Sequence, residues 1–188
     1  NFDGLVISFP KNNSISGDGI VNEGVNSTKL GIKGSPALAE HMQIARDLFL
    51  LEYTGGKLHI PTISTAKSVA LIKEAKKKGL QVSCSASAHH ITLVDDELQF
   101  FDSKVKVTPP LRTIADTKAL QKGLKDGIID MITSDHNPID TEHKKLEFSL
   151  SKDGTIGLES LFGAVNTVLD LETTIKCLTT NPRSVFGQ

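Results

Sequence analysis

The sequence predicts an α/β fold in which helices cover a parallel sheet, and three observations carry this. Short apolar runs alternate four times with stretches of helical periodicity. The runs are apolar enough to be buried on both faces, as parallel strands are. Capping residues, Gly and Pro punctuate the junctions between the two kinds of segment. Four strand–helix units suit either a doubly wound sheet or half of an eight-stranded barrel, and in both folds functional groups gather at the carboxyl ends of strands.

The elements follow in order. GLVISF (4–9), stopped by Pro10, reads as a strand. A Gly/Asn/Ser-rich stretch through Gly34 reads as loop. Ser35 as N-cap and Pro36 in the first turn open a helix that Gly55-Gly56 ends, with Leu38, Met42, Ala45, Leu48 and Phe49 at helical spacing. KLHIPTIS (57–64) is a strand. STAKSVALIKEAKKKG (64–79) is a helix capped by Ser64 or Thr65. QVSCSASA (81–88) is a strand of small residues, and a loop containing Thr108-Pro109-Pro110 follows. DTKALQKGLKDG (116–127) is a helix, IIDMITSD (128–135) a strand, and 157–170 and 171–181 the last helices, closed by Asn181-Pro182.

Composition narrows the function classes. The chain has 188 residues, 38% hydrophobic and 23% charged, with a net charge of -1, so charge gives no reason to expect nucleic acid or an anionic membrane as a partner. The lysine run 73–79 reads as a solvated helix face. No apolar stretch approaches the roughly 20 residues of a membrane span, and no signal peptide is visible. Cys84 and Cys177 lie far apart without CxxC spacing, which suits reduced core residues in a cytoplasmic protein. There is no internal repeat, glycine-rich phosphate loop or low-complexity tract. Because the chain begins with Asn1 and runs at once into an apolar strand, it is expected to be a piece of something longer.

The strand ends carry Phe9-Pro10-Lys11, Pro61-Thr62, Ala88-His89-His90 and Asp135-His136. Asp135 stands out. An aspartate at a barrel mouth can bind a metal and shuttle a proton from metal-bound water, or it can simply cap the next loop. Adjacent histidines on an extended chain point to opposite sides, so His89 and His90 are expected to pack or hydrogen-bond. His59, inside its strand, reads as structural, and His41, His143 and Lys11 as solvent-facing. The absence of a Gly-x-Ser-x-Gly elbow, and of a strand-end cysteine with a histidine partner, argues against nucleophilic catalysis.

Several long segments then carry a family resemblance: GDGIVNEGVNSTKLGIKGSPALAEHMQIARDLFLLEYTGGKLHI, STAKSVALIKEAKKKGL, HHITL, KVTPPLR, LKDGIIDMITSDHNP and GTIGLES. In this order they resemble the C-terminal part of dihydroorotase, of the amidohydrolase superfamily. The resemblance implies that residues 1–188 form the C-terminal half of a (β/α)8 TIM-type barrel, with the N-terminal strands and a small β domain outside this chain. It implies zinc as cofactor, and a reaction that opens a cyclic amide or closes carbamoyl aspartate into dihydroorotate. Asp135 falls on the family's catalytic and metal-binding aspartate, in a TDH-type motif that reads SDH here. The family's HxH motif, its arginine and its bridging acid or modified lysine would precede Asn1.

Other matched positions differ. Phe9 and Thr62 stand where the family has metal-binding histidines, and His59 matches a histidine that is not a ligand. Thr108 and Ile139 replace an asparagine and a histidine that contact substrate. A phenyl ring offers zinc no lone pair, and a neutral hydroxyl is a poor ligand. The resemblance therefore implies a degenerate metal site and impaired or absent catalysis. It points to the non-catalytic relatives that serve as structural partners of aspartate transcarbamoylase, whose wording SDHNPID and EHKKLEF approach. A working zinc-dependent dihydroorotase with ligands before Asn1 is the alternative. An amidohydrolase of another cyclic amide, such as allantoin or a hydantoin, ranks below both. A cytoplasmic homo-oligomer that binds neither nucleic acid nor membrane is expected. Half a barrel leaves two open sheet edges, to be covered by a companion N-terminal segment or a partner chain.

Overall fold

A computed structural model describes residues 4–187. Strand β1 (Leu5–Ile7) leads into the one-turn helix α1 (Asn13–Ser16). A parallel two-stranded ribbon, β2 (Val21–Asn22) with β3 (Gly34–Ser35), flanks helix α2 (Val25–Leu30). From sequence this whole stretch reads as loop, because strands of two residues show no periodicity. There follow α3 (Leu38–Thr54), β4 (Lys57–Ile60), α4 (Ala66–Lys77), β5 (Val82–Ser87) and the short α5 (Ala88–Thr92). Two 3-10 turns, Asp95–Phe100 and Ser103–Val105, lead to α6 (Ile114–Lys125) and β6 (Met131–Thr133). The chain then forms α7 (Thr141–Lys144), α8 (Leu161–Asn166), α9 (Leu171–Leu178) and α10 (Thr180–Phe186).

The main sheet has four strands in the order β1-β4-β5-β6, all parallel, as the alternation predicts. The register aligns Ile7, His59 and Ser83 on one face, with Ser85 beside Met131 and Ser87 beside Thr133. The other face carries Leu58, Ile60, Val82, Cys84, Ala86 and Ile132. These join Ile44, Leu48, Ile72, Leu120 and Leu124 of the covering helices in one core. Both cysteines, Cys84 and Cys177, are free and buried in this core. Burial pushes their thiols up, to about 12 and about 11 respectively. Among the described residues no helix is long and apolar enough to cross a membrane.

Local chemistry explains the helix starts. Thr65 Oγ1 accepts from the Ser68 amide at 3.2 Å and so caps α4. Thr113 and Asp116 cap α6 reciprocally: Thr113 Oγ1 accepts from the Asp116 amide, and Asp116 Oδ2 from the Thr113 amide. Three expectations are corrected. Ser35 does not cap α3; it lies in β3, and Ala37 occupies the cap. Pro182 does not end the last helix but sits in the first turn of α10, where its missing N–H has no intrahelical partner to lose. On α3, most of the apolar residues picked out by their spacing face outward. Leu38, Met42 and Phe49 are 52%, 50% and 70% exposed, whereas Ala39, Glu40, Gln43, Ile44, Asp47, Leu48 and Leu51 are buried.

The buried face of α3 is anchored by a charge pair. Glu40 is 2% exposed, and its Oε1 accepts from the Ser64 amide at 2.9 Å and from Ser68 Oγ at 2.5 Å. Its Oε2 accepts from Ser64 Oγ and lies 3.8 Å from Arg112 Nη2. Arg112, also buried, donates from Nε to Ser64 Oγ at 3.1 Å, and from Nη1 to Asn22 Oδ1 at 2.8 Å and the Ser35 carbonyl at 3.1 Å. Asn22 in turn donates to Asp95 Oδ2 at 2.8 Å. This hub ties α3, the ribbon, the turn after β4 and the first 3-10 turn together. Arg112→Leu leaves Glu40 charged and buried without its cation, and is expected to cost about 3–5 kcal/mol of unfolding free energy. Urea denaturation beside the wild type checks this, and a loss below about 1 kcal/mol contradicts it.

Candidate functional site

Parallel strands place all four carboxyl ends on one rim, in the order Phe9, Thr62, His89 and Asp135 across the sheet. Phe9 is 43% exposed at the β1 edge, whereas Thr62 is buried and its amide donates to Ser85 Oγ at 3.2 Å. Thr62 and Asp135 both adopt left-handed backbone, with φ of 51° and 46°. Neither is glycine, so each carries strain on the order of 1–3 kcal/mol that the surroundings must hold.

The structure brings His89 to Asp135, a pairing that the sequence reading missed. His89 Nε2 lies 3.4 Å from Asp135 Oδ2, is buried, and has no hydrogen-bond partner. The expectation for His89 and His90 assumed extended chain, but β5 ends at Ser87 and both histidines lie in α5. Ser87 caps that helix, and its Oγ is 2.6 Å from His90 Nδ1, while His90 Nε2 donates to the Pro109 carbonyl at 2.9 Å. With both ring nitrogens engaged, His90 is structural. The signal for His89 was its place just past a strand end. Burial pushes the His89 imidazole down to about 4 and raises the Asp135 carboxyl, so both groups are drawn toward their neutral forms.

The loop after Asp135 is held from two sides. His136 Nδ1 accepts from the amides of Gly157 and Leu158, each at 3.3 Å. A Cβ on Gly157 would stand 2.2 Å from the Ser134 carbonyl oxygen, so only glycine lets this strap lie against the chain leading into Asp135. Further on, Lys106 Nζ donates to the carbonyls of Phe148, Ser149 and Ser151 at 2.9, 3.2 and 2.6 Å, which clasps the loop beyond Ile139. Ile139 lines a surface groove with Phe101, Leu146 and Ile156. Thr108 donates to Asp153 Oδ2 and shares a small cavity with Lys11.

The remaining histidines resolve as follows. His59 Nδ1 lies 2.9 Å from Ser83 Oγ and its ring is 5.8 Å from that of Phe186, a structural role as expected. His143 is partly exposed and pairs with Asp140 at 2.7 Å. His41 does not simply face solvent: it is half-buried, with Nε2 2.9 Å from Thr65 Oγ1.

A catalytic zinc takes three protein ligands from His, Asp, Glu or Cys. Among the described residues no three such side chains are gathered to hold a metal ion.

The fold defines a class first, an α/β chain with a parallel sheet, and solved proteins share it: the L-hydantoinase of Arthrobacter aurescens superposes with a TM-score of 0.84 at 23% identity, over 97% of this chain and 43% of that one. Dihydroorotase of Saccharomyces cerevisiae, solved with 5-fluoroorotic acid, gives 0.71 at 18% identity over 81% of this chain and 44% of that one. No family model matches the chain. Sequence is more specific. The chain is 43% identical over 190 aligned residues to the dihydroorotase of Pelotomaculum thermopropionicum, covering 97% of this chain and 44% of that protein. It is 46% identical over 160 residues to that of Syntrophobacter fumaroxidans, covering 85% of this chain and 36% of that protein. The chain belongs to the dihydroorotase family, and spans less than half the length of these relatives.

Burial also sets a pH dependence. His41, His59, His89 and His90 are all held below their ordinary value of 6.5, chiefly by burial. Below about pH 6.5 the unfolded chain takes up protons that the folded chain refuses, so stability rises with pH there. It is fully present above 6.5 and drains as pH falls through the folded values, about 4 for His89. His89 alone contributes on the order of 3 kcal/mol at 1.36 kcal/mol per pKa unit. Asp135, shifted the other way, opposes this. Urea midpoints measured at pH 7.5 and 5.0 are expected to fall on acidification, and equal midpoints contradict the burial of neutral imidazoles.

Proposed function

We propose that this chain is the C-terminal half-barrel of a dihydroorotase-like protein of pyrimidine biosynthesis, located in the cytoplasm, whose hydrolytic centre is degenerate. Its role is that of a structural partner of aspartate transcarbamoylase, with turnover of dihydroorotate impaired or absent. The observation that carries this reading is the pair Phe9 and Thr62 at positions where the family resemblance calls for imidazoles. Zinc, when bound in such a barrel, lowers the pKa of its water from about 15.7 to about 7 and so supplies hydroxide. On this rim Asp135 remains to hold a proton, but neither Phe9 nor Thr62 can help gather a cation beside it. Thr108 and Ile139 also offer fewer polar contacts to a dianionic cyclic amide than the asparagine and histidine they replace.

One observation favours a second reading, a working zinc-dependent dihydroorotase completed by ligands outside this stretch of chain. Asp135 keeps a strained left-handed backbone at φ 46°, and such strain clusters at functional sites. The full-length protein separates the two. Substoichiometric zinc by elemental analysis, and dihydroorotate turnover at background whether residue 135 is Asp or Asn, are expected. Stoichiometric zinc with turnover abolished by Asp135→Asn overturns the degenerate reading. Restoring Phe9→His together with Thr62→His is expected to raise zinc content, and co-sedimentation with aspartate transcarbamoylase checks the partner.

A further inference from the structure

We infer that Lys106 is a positioning residue: its buried ammonium ion fills a cage of main-chain carbonyls, and that cage sets where Thr108 and Ile139 stand on the rim. The inference concerns the shape of the rim and does not depend on turnover. Residues 148–151 turn three carbonyls inward. Lys106 Nζ donates to those of Phe148, Ser149 and Ser151 at 2.9, 3.2 and 2.6 Å. An ammonium group has three N–H donors and no acceptor, so the cage engages all three. The side chain is 3% exposed, with Asp153 Oδ1 at 3.9 Å and the centre of the Phe148 ring at 5.5 Å.

A lysine is rarely buried this far without a close carboxylate. Here the close partners are backbone oxygens, so the charge fixes the course of the chain. A neutral side chain would leave three carbonyl dipoles converging on nothing, each short of a donor. Ser151 Oγ also donates to the Phe148 carbonyl at 2.9 Å, which holds the turn but supplies no charge at its centre.

Two routes lead from the cage to the rim. On the first, Lys106 lies two residues before Thr108, and its own carbonyl accepts from the Gly154 amide at 2.9 Å. Thr108 then donates to Asp153. On the second, the Asp153 carbonyl accepts from Asn137 Nδ2 at 3.3 Å, and the Thr155 carbonyl accepts from the Asn137 amide at 3.0 Å. Packing there is tight. A Cβ on Gly154 would stand 2.5 Å from the Asn137 carbonyl oxygen and 2.9 Å from Ile139 Cγ1. Residues 153–155 are thus wedged between Thr108 and Ile139, and the cage decides where the wedge sits. Lys144 Nζ ties the outer side of the same loop to the Ser103 and Lys152 carbonyls at 2.6 and 2.9 Å. Its bond to Lys152 is exposed, where water can take its place.

Hydrogen exchange of the full-length protein, read by mass spectrometry, tests the inference. Lys106→Met keeps the length of the side chain and removes its charge and donors. Peptides spanning 137–139 and 147–157 are expected to exchange at least about tenfold faster than in the wild type, while the peptide of β5 exchanges as before. Lys106→Ala is expected to behave alike and to regain protection in n-propylammonium chloride, which restores the propyl chain and ammonium that the substitution removes. Tetramethylammonium chloride at the same concentration brings the charge without an N–H, and is expected to restore nothing. The wild type supplies a measurement that needs no variant. Under native acetylation with acetic anhydride, Lys106 is expected to react at least about tenfold more slowly than the exposed Lys104 and Lys145. Unchanged exchange in the two loop peptides overturns the inference, as does an equal gain in β5, which would make the ammonium a support of the core. So does equal protection by the two salts, a failure of n-propylammonium to restore it, or acetylation of Lys106 as fast as that of Lys104.

Discussion

Two opposite charges that have left water together, on Glu40 and Arg112, determine how the rim of this sheet is built. A buried ion pair is a costly device, and replacing one with apolar residues is often neutral or stabilising. What this pair contributes is location. Its hydrogen bonds reach Ser64 and Ser68 on one side, and Asn22 and the Ser35 carbonyl on the other. A hydrophobic contact could press these segments together, but it could not fix which backbone atom meets which. The turn after β4, where Thr62 sits, is thereby fixed from Ser64 onward.

That fixed turn separates backbone from side chain at the candidate site. The left-handed conformation of Thr62 is set by the hydrogen bonds of its neighbours and by its own amide on Ser85 Oγ. None of these contacts involves the Thr62 side chain. Burial and the left-handed φ still restrict which residues the turn accepts at position 62, whereas half-exposed Phe9 at the edge of β1 is less constrained. Asp135 differs, because its carboxylate faces the His89 ring.

These relations show what sequence could and could not convey. Strands β4, β5 and β6 and the Thr65 cap were legible, since apolar runs and capping oxygens act locally. Asp135 was legible as a candidate because the run from Ile128 stops at it. The ribbon of β2 and β3 was not, because its two-residue strands are held by the distant Arg112. The buried face of α3 was misjudged because Glu40, Gln43 and Asp47 are polar yet satisfied inside, through Ser64, Ser68 and Ser8 among others. The His89–Asp135 approach joins two strand ends far apart in sequence, and an assumed extended chain gave His89 the wrong local geometry.

The two thiols have a practical consequence. Cys84 and Cys177 are shut in the core and held as neutral, unreactive S–H groups. An alkylating reagent in neutral buffer attacks only thiolate, so it labels these positions only during excursions in which the helices lift from the sheet. The labelling rate is then a clock for rare opening events, readable by mass without any engineered probe.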